Sequence, residues 1–348
     1  MRILTLWLFE IAECYLTVSN HALENAECWD FEASNLWWCK HSTEPKEKFL
    51  VNEFDESIYS QSCQLQPPWH LDRITQEDHL DFSKPYPYTN YVVKPVVYVL
   101  DTYVQVDHPD FEGRVKFGYS TTPGNSNPHG THVMGLILSK SFGVCKHCNG
   151  VSVRVLGDNG SGYFSDLIKG LSWVSHNAPK STVSVINISI SGKGSDSLDL
   201  AIEALHRQGL IVVVAAGNDG RLASEYSPAR SIHAISVGST NLNDEMSLFS
   251  NFGKALDILA PGEYIQSTIP QSRNGWMSGT SMASPIVSGA MALVVCRNPF
   301  VRDVWILKKF ILNDTVKKWV KKVRVGTPNL LVNTRDNDRC NYNKFIFQ

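Results

Sequence analysis

After Ser281 the chain reads Met282-Ala283-Ser284-Pro285-Ile286-Val287-Ser288-Gly289-Ala290-Met291-Ala292-Leu293-Val294-Val295, small or apolar almost all round. A surface helix carries an apolar stripe opposite a polar face, and this segment has none, so it predicts a helix sunk in a core with structure packed on every side. Gly275 and Gly279 precede it and allow a sharp turn. Pro285 is read as part of the first turn, where a missing N–H costs nothing. Ser281 therefore stands at the mouth of a core helix, where unpaired N–H groups and the positive dipole end favour a developing oxyanion. A serine in that position is ordinarily an N-cap. It becomes a nucleophile only if a base takes its proton.

At 348 residues the chain can bury a large core, as one big domain with a small attachment. A net charge of −2 gives no sign of nucleic-acid or membrane-surface binding. No apolar run is read as reaching bilayer-spanning length. Residues 3–9, after Arg2, have the character of a short signal core, interrupted by Glu10 and Glu13. Eight cysteines permit disulfides in an oxidising compartment without requiring them. Of the sequons at Asn159, Asn187 and Asn313, the second falls in an expected core strand and is a poor sugar acceptor.

Residues 96–100 form a short continuous apolar run, typical of a strand covered on both faces, and Asp101 ends it. His129-Gly130-Thr131-His132 opens a helical pattern. Strands are expected at 151–156, 183–190, 210–216 (running into Gly217-Asn218), 235–237 and 255–259, with helices at 165–175 and 198–208. Strands alternating with helices predict an α/β fold, a mostly parallel sheet with helices on both faces. Residues 1–75 show no sustained period, with Trp29, Trp37 and Trp38 suggesting some packing. A linker-like stretch runs from Pro67-Pro68 through Pro85 and Pro87, 301–325 reads as a solvated amphipathic helix, and the last dozen residues read as a tail.

Asp101, His129 and Ser281 all fall at element ends, where open parallel sheets place working residues. Together they supply a nucleophile, its base and the carboxylate that orients the base. Asn218 is placed to donate its side-chain N–H to an oxyanion. The Gly-x-Ser-x-Gly elbow of α/β-hydrolase esterases is excluded, because Ala283 stands two residues after Ser281.

Four stretches in this order resemble subtilisin-like serine proteases (subtilases), nearest the proteinase K and fungal vacuolar protease branch. They are Val97-Tyr98-Val99-Leu100-Asp101-Thr102, His129-Gly130-Thr131-His132-Val133, Val214-Ala215-Ala216-Gly217-Asn218 and Gly279-Thr280-Ser281-Met282-Ala283-Ser284-Pro285. The resemblance covers residues 68–334 and implies one large subtilisin-like catalytic domain, after a leader or remnant pro-segment at 1–67 and before a tail at 335–348. It implies a serine endopeptidase acting through an acyl-enzyme, with polypeptide substrates and no required cofactor. It also implies a monomer with no membrane span and no nucleic-acid partner, working in the secretory pathway, a vacuolar lumen or outside the cell. An inhibitory pro-segment is a family partner, although 1–67 does not clearly resemble one. By the same resemblance Gly160-Ser161-Gly162 and Ser189-Ile190-Ser191-Gly192 hold an extended peptide, and Ala215, Ala216 and Gly217 line an apolar pocket. Asp257, with carbonyls near Ile232 and Ala234, falls where that branch holds a structural calcium; the alternative reading is an ordinary surface Asp.

Tyr103, Pro128, Met134, Ser191 and Ile286 depart from the family pattern. They motivate a second reading, a weak or inactive subtilase-fold protein acting by binding peptides or partners. Cys145-Lys146-His147-Cys148 is read as a surface turn with one member in a disulfide, ahead of a redox pair or half a zinc site.

Overall fold

The computed structural model describes residues 27–29, 38–40, 60–78, 80–82 and 84–334. The chain divides into two compact units, 1–58 and 59–348. In the first, two short antiparallel strands are described, β1 (Glu27–Trp29) and β2 (Trp38–Lys40). Apart from β1, β2 and residues 60–67, the expected leader at 1–67 lies outside the described residues and side chains, as do the signal-like residues 3–9, the packing of Trp29, Trp37 and Trp38 and the tail at 335–348.

The second unit begins with a hairpin, β3 (Ser60–Gln64) with β4 (Tyr86–Asn90), enclosing a short helix α1 (Trp69–Arg73). There follow β5 (Val96–Asp101), β6 (Val115–Ser120), α2 (His129–Leu138), β7 (Asn149–Arg154), α3 (Phe164–Asn177) and β8 (Val185–Ile188). Next come β9 (Gly192–Lys193), α4 (Asp196–Arg207), β10 (Ile211–Ala215), β11 (Tyr226–Ser227), β12 (Ile235–Thr240) and β13 (Ile258–Pro261). The chain then forms the hairpin β14 (Ile265–Ile269) and β15 (Arg273–Met277), α5 (Thr280–Arg297), α6 (Val304–Asn313), β16 (Val316–Lys317) and β17 (Leu330–Leu331).

Nine strands make the main sheet in the order β16-β17-β13-β12-β10-β8-β5-β7-β6. Every adjacent pair is parallel except β16 with β17. This is the mostly parallel α/β sheet the strand–helix alternation predicts. The strand period of two divides the central apolar runs between two cores. Val97, Val99, Val185, Ile211 and Val213 point to one face, with α2 and the buried length of α5. Tyr98, Leu100, Ile186, Ile188, Val212 and Val214 point to the other, with α3 and α4. Helix α5 is long and apolar enough to cross a bilayer, contrary to the reading of no such run. It is 89% buried inside the fold, so its apolar surface is spent on core packing.

Three sequence expectations are corrected. The amphipathic helix expected at 301–325 is confined to α6, capped by Asp303, which accepts from the N–H groups of Trp305 and Ile306. Beyond it the chain pairs as β16, and Lys318 and Lys322 take left-handed turns, so helical period fails there. The proline-rich stretch 67–87 is packed rather than linker-like. Arg73 is buried with its Nε 2.6 Å from Asp244 Oδ1, and Asn333 donates to the carbonyl of Gln76 at 2.9 Å. The Cys-x-x-Cys turn is buried, and its two cysteines are bonded to each other.

β5 lies between β7 and β8, and the chain leaves it first toward one sheet edge and then toward the other. The carboxyl ends of the central strands therefore open onto a topological switch point, where such sheets hold ligands. Asp101 ends β5, Ser189 follows β8, and Ala216-Gly217-Asn218 follows β10.

Candidate active site

Asp101 is fully buried at the end of β5, and its Oδ1 accepts from both the Thr102 N–H and His129 Nδ1, each at 2.7 Å. His129 begins α2. Its own N–H is capped by Asn127 Oδ1 at 2.9 Å, so Pro128 sits just outside the helix without breaking it. Gly130 allows α2 to approach the end of β5, since a Cβ there would lie 2.8 Å from the carbonyl oxygens of Thr102 and Tyr103. With Nδ1–H committed to Asp101, Nε2 carries the free lone pair. Burial works to lower the His129 pKa, but the charge of Asp101 and its hydrogen bond hold it above the ordinary histidine value.

Ser281 lies in the first turn of α5. Its Oγ donates to the carbonyl of Ser189 at 3.2 Å, so the hydroxyl points at β8's exit rather than at His129. Pro285 falls in the second turn, not the first as the sequence suggests. It lacks the N–H that would bond the carbonyl of Ser281 four residues back. That carbonyl accepts instead from Ser189 Oγ at 2.9 Å. Ser189 Oγ also meets Ser284 Oγ at 3.0 Å and accepts from Asn187 Nδ2 at 2.9 Å, while Ser288 Oγ donates to Asn187 Oδ1 at 2.8 Å. A buried polar chain thus staples β8 to α5. Asn187 is fully buried and its amide is used internally, which fits the reading of an unglycosylated core strand.

Asn218 turns its Oδ1 onto Thr280, accepting from the backbone N–H at 2.8 Å and from Oγ1 at 3.0 Å. Asn218 is exposed, and its Nδ2 and the Ser281 backbone nitrogen lie 3.5 and 3.6 Å from where a Cβ of Gly279 would stand. The Ser281 N–H, in the first turn, has no intrahelical partner. Asn251 holds the loop that carries Asn218. Its Nδ2 donates to Ala216 O at 2.9 Å, and its Oδ1 accepts from the N–H groups of Asp219 and Arg221. The roles of Thr280, Asn251 and the Asn187 amide in holding the site were not read from sequence. The polar residues repeating four apart on the buried helix, Ser284 and Ser288, were the available signal.

The two expected peptide edges come to the same end of the sheet. A Cβ at Gly160 would lie 3.4 Å from Asn127 Nδ2, beside His129, and one at Gly192 would lie 2.7 Å from the Phe164 ring. Gly160, Ser161, Gly162 and Ser191 are exposed, Ile190 and Gly192 half-buried. Ala215, Ala216 and Gly217 are buried beneath them. Ser191 reaches across to the Asn218 loop, with its Oγ 2.7 Å from where a Cβ of Gly217 would stand. Gly217 itself takes φ +101°, a conformation that favours glycine. Asp257 is elsewhere, before β13. Its Oδ1 is 2.8 Å from the ammonium of Lys308 and its Oδ2 accepts from Ser236 N–H at 2.9 Å. A divalent calcium needs six to eight oxygens at about 2.3–2.6 Å, and this carboxylate is already committed, so the residues present do not fit that ion.

A carboxylate–imidazole pair beside a half-buried serine at a helix mouth, at the carboxyl ends of a parallel sheet, defines a serine hydrolase of α/β class. The sequence signature of the subtilase family matches residues 93–335. A subtilase-type proteinase, psp3, of Schizosaccharomyces pombe is 38% identical over 292 residues, covering 80% of this chain and 65% of its own. An extracellular serine proteinase of Thermus sp. is 40% identical over 289 residues, covering 81% of this chain and 70% of its own. A subtilisin-like serine protease of Penicillium citrinum, Pen c 2, is 37% identical over 310 residues, covering 81% and 67%. The crystal structure of a cold adapted subtilisin-like serine proteinase superposes with a TM-score of 0.73 at 37% identity, covering 77% of this chain and 98% of that one. The chain belongs to the subtilase family of serine endopeptidases. It spans 65–70% of the length of the curated relatives named here. All of these relatives bear the name of a proteinase or protease, which gives the inactive reading no support.

Proposed function

We propose that this chain hydrolyses internal peptide bonds with Ser281 as nucleophile, His129 as general base and Asp101 as the carboxylate that fixes the imidazole. The observation that carries this reading is the 2.7 Å contact between His129 Nδ1 and Asp101 Oδ1, which leaves Nε2 as acceptor. As substrate binds, the Ser281 hydroxyl turns from the Ser189 carbonyl toward Nε2. Hydrogen bonds of this kind often tighten only in the substrate complex. The oxygen attacks the scissile carbonyl while its proton passes to His129. Asn218 Nδ2 and the Ser281 N–H receive the oxyanion. The imidazolium returns its proton to the leaving amine, and water cleaves the acyl-enzyme by the same steps.

The substrate is an extended polypeptide, paired by its backbone between residues 160–162 and 189–192, with one side chain directed toward the Ala215-Ala216-Gly217 wall. The reaction needs no cofactor. A secretory, extracellular or vacuolar place of work suits the family and the disulfide of Cys145 with Cys148.

Purified protein is incubated with an unfolded polypeptide and with a serine-directed phosphonate. Cleavage, abolished in Ser281→Ala, and a phosphonyl adduct mapped to Ser281 are expected. A protein that neither cleaves nor labels while its thermal unfolding remains cooperative overturns the reading in favour of a peptide-binding role.

A further inference from the structure

Lys308 projects from α6 to a place between the ends of two sheet strands. Its Nζ lies 2.8 Å from the carbonyl oxygen of Ala234, just before β12, and 2.8 Å from Asp257 Oδ1, just before β13. Both side chains are largely buried, at 13% and 23% exposure. Trp305, one turn back on α6, places its ring centroid 5.6 Å from the ammonium. The other oxygen of Asp257 is held by the Ser236 N–H, and the Asp257 N–H returns to the Ser236 carbonyl at 2.9 Å. A carboxylate and a converging carbonyl make a cation site, and here the chain fills it with a charge of its own.

We infer that Lys308 is a built-in cation that ties α6 to the ends of β12 and β13, so that the chain takes no metal ion at the Asp257–Ala234 position. One ammonium neutralises one carboxylate, whereas a divalent ion in the same place adds an unbalanced charge and must first expel Lys308. The physical consequence is a change in what stability depends on. A bound ion stabilises by mass action and is lost when its concentration falls. A tethered ammonium has no concentration, so removing calcium leaves this contact intact.

The test uses the full chain carrying Ser281→Ala, which prevents self-digestion during heating. Melting temperatures are measured in a chelator and in millimolar calcium, for the parent and for Lys308→Ala and Asp257→Asn built upon it. The parent is expected to show no calcium response that Asp257→Asn removes. Lys308→Ala is expected to melt lower in chelator and to recover several degrees in calcium, as an open carboxylate–carbonyl site admits the ion. A parent whose melting temperature rises in calcium, with that rise lost in Asp257→Asn, overturns the inference even if Lys308→Ala fails to fold. A folded Lys308→Ala that gains no calcium response also overturns it, by showing an ordinary ion pair rather than an occupied cation site.

Discussion

Ser189 and Ser281 are bound to each other twice: the hydroxyl of Ser281 donates to the carbonyl of Ser189, and the hydroxyl of Ser189 donates to the carbonyl of Ser281. The second bond exists because Pro285 cannot supply the helical one. Ser189→Ala leaves the Ser281 carbonyl, Asn187 Nδ2 and Ser284 Oγ short of a partner in a buried setting. An unsatisfied buried polar group costs about 1–3 kcal/mol. We expect a lowered melting temperature and a fall in kcat larger than the change in KM, since the nucleophile loses its anchor while the peptide edge remains. Ser189→Thr keeps the hydroxyl and is expected to restore much of the kcat. Steady-state kinetics of the two variants decide it, and equal loss in both sinks the anchoring role.

Asn218 is aimed by Thr280, which takes both hydrogen bonds of Oδ1 and so fixes which end of the amide faces outward. Asn218→Leu removes the outward donor. In a bacterial subtilisin, loss of such a donor lowers kcat by roughly 100- to 1,000-fold. A similar loss is expected here with KM little changed. Thr280→Val, which frees Asn218 Oδ1 from one of its two restraints, is expected to lose less. A kcat within threefold of the parent for Asn218→Leu removes that residue from the oxyanion site.

The pairing of His129 with Asp101 sets a pH dependence. In the proposed reaction neutral imidazole is the base, and the His129 pKa in the folded protein stands above the ordinary value near 6.5. Activity therefore rises as pH climbs through a value above about 6.5. The stability supplied by the same pair runs the other way, being fully present below the unfolded value and lost as pH rises through the folded one. Asp101→Asn removes the cause of the upward shift and mis-sets the tautomer. A kcat loss on the order of 10,000-fold is expected, with the acid limb of the residual activity moved to lower pH. An unmoved acid limb indicates that another group sets it.

The proposed triad was legible because each member is a reactive side chain at the end of a periodic run: Asp101 after residues 96–100, His129 before an apolar helix, Ser281 at the head of the core helix. The staple between β8 and α5 was not. Asn187 and Ser189 look like strand-end polar residues, and their use depends on a carbonyl that only the helical register at Pro285 sets free. Lys308 was lost inside a basic stretch read as solvated, since a side chain's partner across the fold leaves no mark on local period. The hairpin of β14 with β15 escaped for a related reason. Its strands carry polar residues on the exposed side and contact α2 through Ser267 and Thr268, which donate to the carbonyls of His132 and Thr131 rather than pack as an apolar face.

The ion pair of Arg73 with Asp244 joins the first helix of the second unit to the loop between β12 and β13. The partners are 1% and 8% exposed, and Asp244 Oδ2 also accepts from Trp319 Nε1 at 2.8 Å. Removing one member of a buried pair leaves the other charge stranded, at about 3–5 kcal/mol. Asp244→Ala, measured in a Ser281→Ala background, should lower the melting temperature on the order of 10 °C. Asp196→Ala provides the contrast. Its side chain is 95% exposed against Arg230, and exposed pairs contribute about 0–1 kcal/mol. Equal shifts in the two variants contradict the ranking.

Ser191 carries the prediction on specificity. The position is one where the family resemblance leads one to expect glycine, and its Oγ reaches toward Gly217 across the proposed side-chain pocket. Its backbone φ is not in the left-handed region, so the serine is unstrained and its effect is steric. A hydroxymethyl group at the pocket mouth disfavours a large side chain before the cleaved bond more than a small one. A difference of this size in an apolar pocket is worth roughly 10- to 200-fold in discrimination. Ser191→Gly is therefore expected to raise kcat/KM for peptides with Phe or Leu at that position by about tenfold relative to Ala, with the gain mostly in KM. Peptides differing only at that residue, assayed on both proteins, give the ratio directly. An unchanged Phe-to-Ala ratio shows that Ser191 lies outside the pocket, and a rise in kcat alone for every peptide shows that it acts on the oxyanion loop instead.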